Sequence, residues 1–181
     1  MTKGRPHILT SMYTSPCGTL VLGSLGDRLC LCDWVEGKSH IHIMRRTERL
    51  TGATIVEGDS SVIDMAARQL DEYFDGRRRK FTIPMMMAGS EFQRSVWQQL
   101  QTIDYGTTVT YTHVAVRMGR PDALRAVSSA IGSNPMPIII PCHRVIGIDN
   151  RITGYSGGLE AKRFLLELEA GVAEGYREER R

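Results

Sequence analysis

What most constrains this chain is a change of pattern partway along it. The stretch Asp75-Gly76-Arg77-Arg78-Arg79-Lys80, followed by Pro84-Met85-Met86-Met87-Ala88-Gly89, joins a basic run to a Pro/Gly-flanked segment and reads as a linker. Before it, Thr19-Leu20-Val21-Leu22-Gly23 and Leu29-Cys30-Leu31-Cys32-Asp33-Trp34 predict short strands, separated by a turn at Gly26-Asp27. Val62, Ala66, Leu70 and Tyr73 then recur at helical spacing behind Ser60 and Ser61, either of which can cap a helix. After the linker the periodicity turns helical. The expected class is α/β of the α+β kind. A small N-terminal sheet-plus-helix domain would occupy residues 1–84, and a mostly helical domain residues 85–181. The Met triplet is expected to fill irregular apolar gaps where the linker crosses a core.

In the second half, Ser90-Glu91-Phe92-Gln93 is a capping box, since a Ser at N-cap and a Gln at N3 can satisfy each other's orphan amides. The helix it opens would carry Phe92, Val96, Leu100 and Ile103 on one face. A short helix is predicted from about Tyr111, with Gly119 suited to its C-terminal cap. Pro121 then fits a helix start, and Asp122 suits the positive end of its dipole. On that helix Leu124, Val127 and Ile131 would point inward, and Asp122, Arg125 and Ser129 outward. Two short helices joined by Gly-Arg-Pro make a helix-turn-helix candidate, although helical hairpins without DNA function share the pattern.

Composition narrows the class but names nothing. The 181 residues are 41% hydrophobic and 24% charged, which excludes disorder, collagen-like repeats and coiled coil. No apolar run approaches the roughly 20 residues of a membrane span, so no membrane partner is expected. The start Met1-Thr2-Lys3-Gly4-Arg5-Pro6 lacks a secretory apolar stretch. Four irregularly spaced cysteines do not make a disulfide framework. They point to a reducing compartment, the cytoplasm or, in a eukaryote, the nucleus. A net charge of +3 permits a nucleic-acid partner without demanding one.

The segment with most chemistry is Pro135-Met136-Pro137-Ile138-Ile139-Ile140-Pro141-Cys142-His143-Arg144-Val145. Three prolines around an Ile triplet make the backbone stiff and mostly buried up to Cys142. A thiol, an imidazole and a guanidinium follow in consecutive positions. A free thiol is only a few per cent thiolate at neutral pH, and a nearby base or cation raises that fraction. In an extended strand Cys142 and His143 would face opposite sides, so their pairing requires a turn, a helical start or a bridging water. The plain alternative is a buried cysteine acting as a small hydrophobe.

Ile140-Pro141-Cys142-His143-Arg144-Val145 resembles the active-site motif of the O6-alkylguanine-DNA alkyltransferases, the methylated-DNA–protein-cysteine methyltransferases. The resemblance runs from Phe92 to Glu169. It passes through Phe92-Gln93, Val96-Trp97, Gly106-Thr107, Thr110-Tyr111, Arg125-Ala126-Val127, Asn134-Pro135, Gly154-Tyr155-Ser156-Gly157-Gly158-Leu159, Lys162 and Leu165-Leu166, with order and spacing preserved. The N-terminal half fits the family's variable small domain only loosely.

The resemblance implies direct transfer of an alkyl group from the O6 of guanine, with O4-alkylthymine as a further candidate substrate, onto Cys142. No cofactor is involved, and one chain serves one turnover. It places His143 and Glu169 in a proton relay that acts through water. Tyr111 stands as donor to the departing guanine and as a wedge on the adjacent phosphate, and Asn134 as a brace of the active-site turns. Arg125 becomes the finger that fills the stack left by a flipped base. The helix carrying it would enter the minor groove of double-stranded DNA without reading sequence. Phosphate contacts are expected from Thr112, Arg120 and Arg94. Tyr155, Ser156, Gly157 and Val145 would line the base pocket, the glycine-rich loop forming a flexible wall. A monomer is expected. Asp104, Ser128, Asn150 and Thr153 depart from the family pattern, the last two in the active-site loop, where they bear on alkyl size.

Cys30, Cys32, His40 and His42 could supply four zinc ligands, each pair sharing a strand face, but their spacing is not a usual zinc set and no metal is assigned. Two other readings remain. A non-catalytic lesion binder or helix-turn-helix regulator would lack a use for Cys142. A cysteine hydrolase would need an oxyanion motif that is not evident.

Overall fold

The computed structural model describes residues 5–171. Strands β1 (His7–Ser15), β2 (Gly18–Leu25), β3 (Arg28–Trp34) and β4 (Thr54–Glu57) form one sheet in the order β3-β2-β1-β4. β1–β2 and β2–β3 pair antiparallel, and β4 joins β1 parallel. Between β3 and β4 runs helix α1 (His40–Thr51), and after β4 comes α2 (Ser61–Phe74). The Ser60 side chain accepts from Ile63 N and caps α2, whose Val62, Ala66, Leu70 and Tyr73 are buried as their spacing requires. β1, β4 and α1 are additions to the elements legible in the sequence.

The sheet is covered on both faces, and a bulge decides which residue goes where. Gly23 stands opposite Leu31 but Ser24 opposite Leu29, so Cys30 is the extra residue of β3. Cys30 and Leu31 therefore both pack with Ile8, Ile43 and Ala53 under α1, whereas Leu29 and Cys32 face the larger core with Leu20, Leu22 and Trp34. The shared strand face expected for Cys30 and Cys32 does not exist. His40 and His42 lie on α1 rather than in an exposed strand-like segment, and His40 Nδ1 sits 2.8 Å from Asp33 Oδ2. Among the described residues no group of three or more His, Cys, Asp or Glu is placed to hold a metal ion.

β3 is an edge strand, and two segments cover it. Leu29 N donates to Pro84 O and Met86 N to Leu29 O, both at 2.8 Å, so the linker extends the sheet. Further along, Cys32 N donates to Pro135 O at 3.0 Å. Met85 and Met87 pack on the larger core and Met86 on the smaller one, as filler.

The second half is built on α3 (Glu91–Leu100), α4 (Tyr111–Arg117), α5 (Leu124–Gly132) and α6 (Gly158–Glu169). The capping box forms, with Gln93 N donating to Ser90 Oγ at 3.1 Å and Ser90 N to Gln93 Oε1 at 2.9 Å. Trp97 is fully buried and satisfies its indole by donating to Ala130 O at 2.8 Å, which ties α3 to α5. Gly119 takes a left-handed φ of 66° after α4, and Pro121–Ala123 make a single 3-10 turn before α5. That turn shifts the start of α5, so Leu124 is 39% exposed at the junction and the inward stripe is Val127, Ala130 and Ile131. Strand β5 (Val109–Thr110) pairs parallel with β6 (Val145–Ile146), bringing the start of α4 beside the end of the Cys142 segment.

One continuous core runs from Leu20 and Leu22 through Leu70 and Tyr73 to Trp97, Val127, Cys142 and Leu165. The two halves thus share their packing. No helix among the described residues is long and apolar enough to cross a membrane.

Candidate active site

The segment from Asn134 to Ile146 is buried throughout. Its shape is held by Asn134, whose Nδ2 donates to Ile140 O and whose Oδ1 accepts from Met136 N, both at 2.9 Å. Inside that clasp Ile138 adopts φ 73°, a left-handed conformation that costs a β-branched residue about 1–3 kcal/mol. The flanking prolines and the Asn134 clasp over-determine it. The segment ends in a one-turn 3-10 helix, Cys142–Arg144, which rotates consecutive side chains apart. Cys142 is 5% exposed, and burial pushes its thiol up to about 11, although Asn134 and the Lys162 charge pull the other way. At neutral pH it rests as a thiol and needs a base.

His143 is fully buried and turns away toward α6, where its Nε2 meets Glu169 Oε1 at 2.7 Å. A carboxylate only accepts, so Nε2 carries the proton and Nδ1 keeps its lone pair. Nδ1 is buried and finds no partner among the described residues. Burial draws the imidazole below its ordinary value, with Glu169 opposing, so His143 is neutral and able to accept a proton.

Glu169, the last residue of α6, receives donors from three residues besides His143. Arg144 gives Nε to Oε2 and Nη2 to Oε1, each at 2.9 Å, Gly106 N reaches Oε2 at 3.1 Å, and Tyr73 Oη reaches Oε1 at 2.7 Å. Burial opposes its charge. The hydrogen bond from His143 and the hydrogen bonds and charge of Arg144 outweigh that and hold the carboxyl well below the usual carboxylate range. Arg144 is itself fixed by donating Nη1 to Ile103 O at 2.6 Å.

Tyr73 belongs to α2, so the N-terminal half supplies one donor to this carboxylate. Tyr73→Phe is expected to destabilise the protein by about 1–3 kcal/mol, as for a missing hydrogen bond to a charged group. Urea unfolding measures it, and an unchanged midpoint would contradict a structural role for that bond.

Lys162 completes the site; the family resemblance includes this position but assigns it no role. Its side chain is fully buried, and Nζ donates to Val145 O at 2.6 Å and Thr153 O at 2.7 Å. Burial pulls the amine down to about 8, with Cys142 acting against it. On α6 the positions 162, 165 and 169 share one stripe, so a helix whose middle reads as ordinary amphipathic surface aims a lysine and a glutamate inward.

A cleft of about 420 Å³ opens over Cys142, walled by Tyr111, Ser128, Ile131, Thr153, Tyr155 and Ser156, with Lys38 and Ser39 contributed by the N-terminal half. Tyr111 starts α4 and directs its hydroxyl to Thr153 O at 3.4 Å. Tyr155 meets Trp34 of β3 edge-on at 6.1 Å between ring centroids. Gly157 lies behind the cleft rather than in it. A Cβ there would come within 2.5 Å of the Trp34 ring, so only glycine lets the loop approach. Val145 likewise has its side chain in the core and offers the site its carbonyl. Asn150 takes φ 58°, a conformation asparagine tolerates where glycine is the easier choice.

Thr112, Arg120 and Arg125 are exposed on the α4–α5 pair. Arg94 is also exposed but spends Nη1 on Gly89 O at 2.8 Å.

Residues 91–171 match the family described as 6-O-methylguanine DNA methyltransferase, DNA binding domain, and residues 8–87 its ribonuclease-like domain. A Methanosarcina barkeri protein named methylated-DNA–protein-cysteine methyltransferase is 43% identical over 155 residues, covering 86% of this chain and 92% of its own. A Mycobacterium bovis protein of the same name is 47% identical over 159 residues, covering 88% and 90%. Among solved structures, Mycobacterium tuberculosis OGT in complex with DNA superposes with a TM-score of 0.76 at 40% identity, over 92% of this chain and 94% of that one. With both halves matched in order and full-length relatives at this identity, the chain belongs to the 6-O-methylguanine DNA methyltransferase family.

Proposed function

We propose that this protein repairs DNA by moving an alkyl group from the O6 of a guanine to Sγ of Cys142, once per chain. The observation that carries the reading is the buried Cys142 at the floor of an open cleft, beside a neutral His143 whose Nε2 is committed to Glu169. His143 Nδ1 takes the thiol proton through a water. The thiolate attacks the alkyl carbon, the C–O6 bond breaks, and its electron pair stays on the guanine. Tyr111, at the cleft wall, donates toward the departing base. The new thioether does not hydrolyse, so the chain is consumed. Glu169 and Arg144 fix the imidazole, and the Glu169 anion stabilises its charged form, in the manner of a base held by an orienting group.

A guanine within a duplex must leave the stack to reach this cleft. α5 lies in the minor groove, Arg125 fills the vacated space, and Thr112 and Arg120 hold phosphates without reading sequence. The protein acts as a monomer, its N-terminal half bracing the relay and the loop. A lesion-binding protein without chemistry would have no use for the Cys142–His143–Glu169 arrangement.

Titrating the protein with a duplex carrying O6-methylguanine should give one methyl transferred per chain and then a stop. Continued turnover would contradict an irreversible thioether. Arg125→Ala should slow transfer from the duplex far more than transfer from the free modified base, because only the duplex requires flipping. Equal losses on both substrates would remove Arg125 from that role.

A further inference from the structure

α1 and α5 face each other across a groove that the transfer chemistry does not use. It measures about 670 Å³ and is lined by His42, Arg45, Arg46 and Arg49 of α1 and by Ser129, Gly132 and Ser133 at the end of α5. Among the described residues no carboxylate lines it. The one acidic side chain of α1, Glu48, is occupied in accepting from Ile55 N at 2.9 Å. Arg46 is anchored in place, with Nη2 on Ser133 O at 2.6 Å and its guanidinium over the Trp97 ring at 5.5 Å. Its Nε is buried and has no acceptor among the described residues. A fixed guanidinium, two exposed arginines beside it and small hydroxyl residues opposite make a surface suited to oxyanions.

We propose that this groove is a second DNA contact, which takes the phosphate backbone of the duplex beside the lesion. Continuity with the cleft identifies the occupant. Ser129 lies one helical turn from Arg125 on the same helix, and Ser39 borders both the groove and the Cys142 cleft. A duplex laid along α5 runs past Arg45 and Arg49. Gly132 and the serines leave room for a sugar-phosphate chain to come close. The N-terminal half thereby acquires a direct part in holding DNA, in addition to bracing the relay. The inference rests on the reading that DNA is the substrate.

Arg45 and Arg49 are exposed, so both can be replaced without disturbing the core, whereas Arg46 is left intact. Binding of a short unmodified duplex is measured by fluorescence anisotropy across a range of salt. Arg45→Ala/Arg49→Ala should make the slope of log affinity against log salt shallower by about 2, since each phosphate left without its cation lowers the slope by roughly 0.9. Arg45→Lys/Arg49→Lys should keep most of the wild-type slope. An alanine variant with the wild-type slope overturns the proposal. So does a variant that changes the oligomeric state in light scattering and leaves the slope alone, because the groove would then hold a second copy of the chain. Wild-type protein that binds no duplex at any salt overturns the repair reading itself, and the groove with it.

Discussion

Glu169→Gln is expected to lower both the melting temperature and the rate of transfer. In the wild type the Glu169 oxygens accept from Gly106 and, out of water, from Tyr73, His143 and twice from Arg144. Glutamine keeps the shape but removes the charge, leaving the buried Arg144 guanidinium uncompensated. Breaking such a pair costs about 3–5 kcal/mol. In a chain of this size that lowers the melting temperature by roughly 6–20 °C. The rate falls as well, because His143 is deprived of the anion that favours its protonated form. General-base contributions of this kind are worth about 10²–10⁴-fold.

The pH dependence of that effect has a definite sign. The folded carboxyl lies below the usual range, so its contribution is complete above the unfolded value of about 4.3 and is lost as pH falls from there toward the folded value. The stability gap between wild type and Glu169→Gln should therefore close on acidification below about pH 4. Calorimetry over a pH series measures it. A gap that stays constant into acid would show that the carboxyl carries no charge in the network.

Lys162→Met should have the next largest effect. The ammonium donates to Val145 O and Thr153 O, which tie β6 to the loop that carries Tyr155 and Ser156. Methionine fits the space and supplies no donor, so each stranded carbonyl costs about 1–3 kcal/mol. The loop loosens, and the Cys142 thiol is left without the charge that favours its ionised form. Transfer is expected to fall about tenfold for each pKa unit by which thiolate formation becomes harder. A second readout is independent of the chemistry. The folded amine sits at about 8, below its unfolded value near 10.4, so the unfolded chain binds the extra proton between them. Wild type should gain stability over the variant as pH rises through that window. A flat difference would mean that the amine is not buried as a cation.

Local rules make some of this structure legible and leave other parts silent. Ser60 and the Ser90–Gln93 box mark helix starts because their signals lie within three residues. α1 escapes notice because its buried stripe is only Ile43 and Thr47, and Ser39 makes no side-chain cap. β1 is central in the sheet yet rich in Thr and Ser, so its composition hides its place. The β3 bulge at Cys30 reverses a face assignment that alternation alone would predict, and only pairing with Gly23 and Ser24 reveals it.

In the site, the stiff run before Cys142 can be read directly from its prolines. Glu169 cannot, because nothing near the end of α6 announces a carboxylate buried against an arginine 25 positions earlier. Only the family resemblance points to it. Lys162 and Tyr73 look like ordinary helix residues until the fold places them. Lysine in the stripe of Leu165 and Glu169 is the available signal for the first; Tyr73 gives none beyond its core spacing.

The central claim is that the alkyl group ends on Cys142. The protein is mixed with a duplex containing O6-methylguanine, digested, and subjected to peptide mass spectrometry. The account predicts a single added methyl on Cys142 and none on Cys17, Cys30 or Cys32, with no transfer in Cys142→Ser. A methyl on any other residue, or transfer that survives Cys142→Ser, would contradict it.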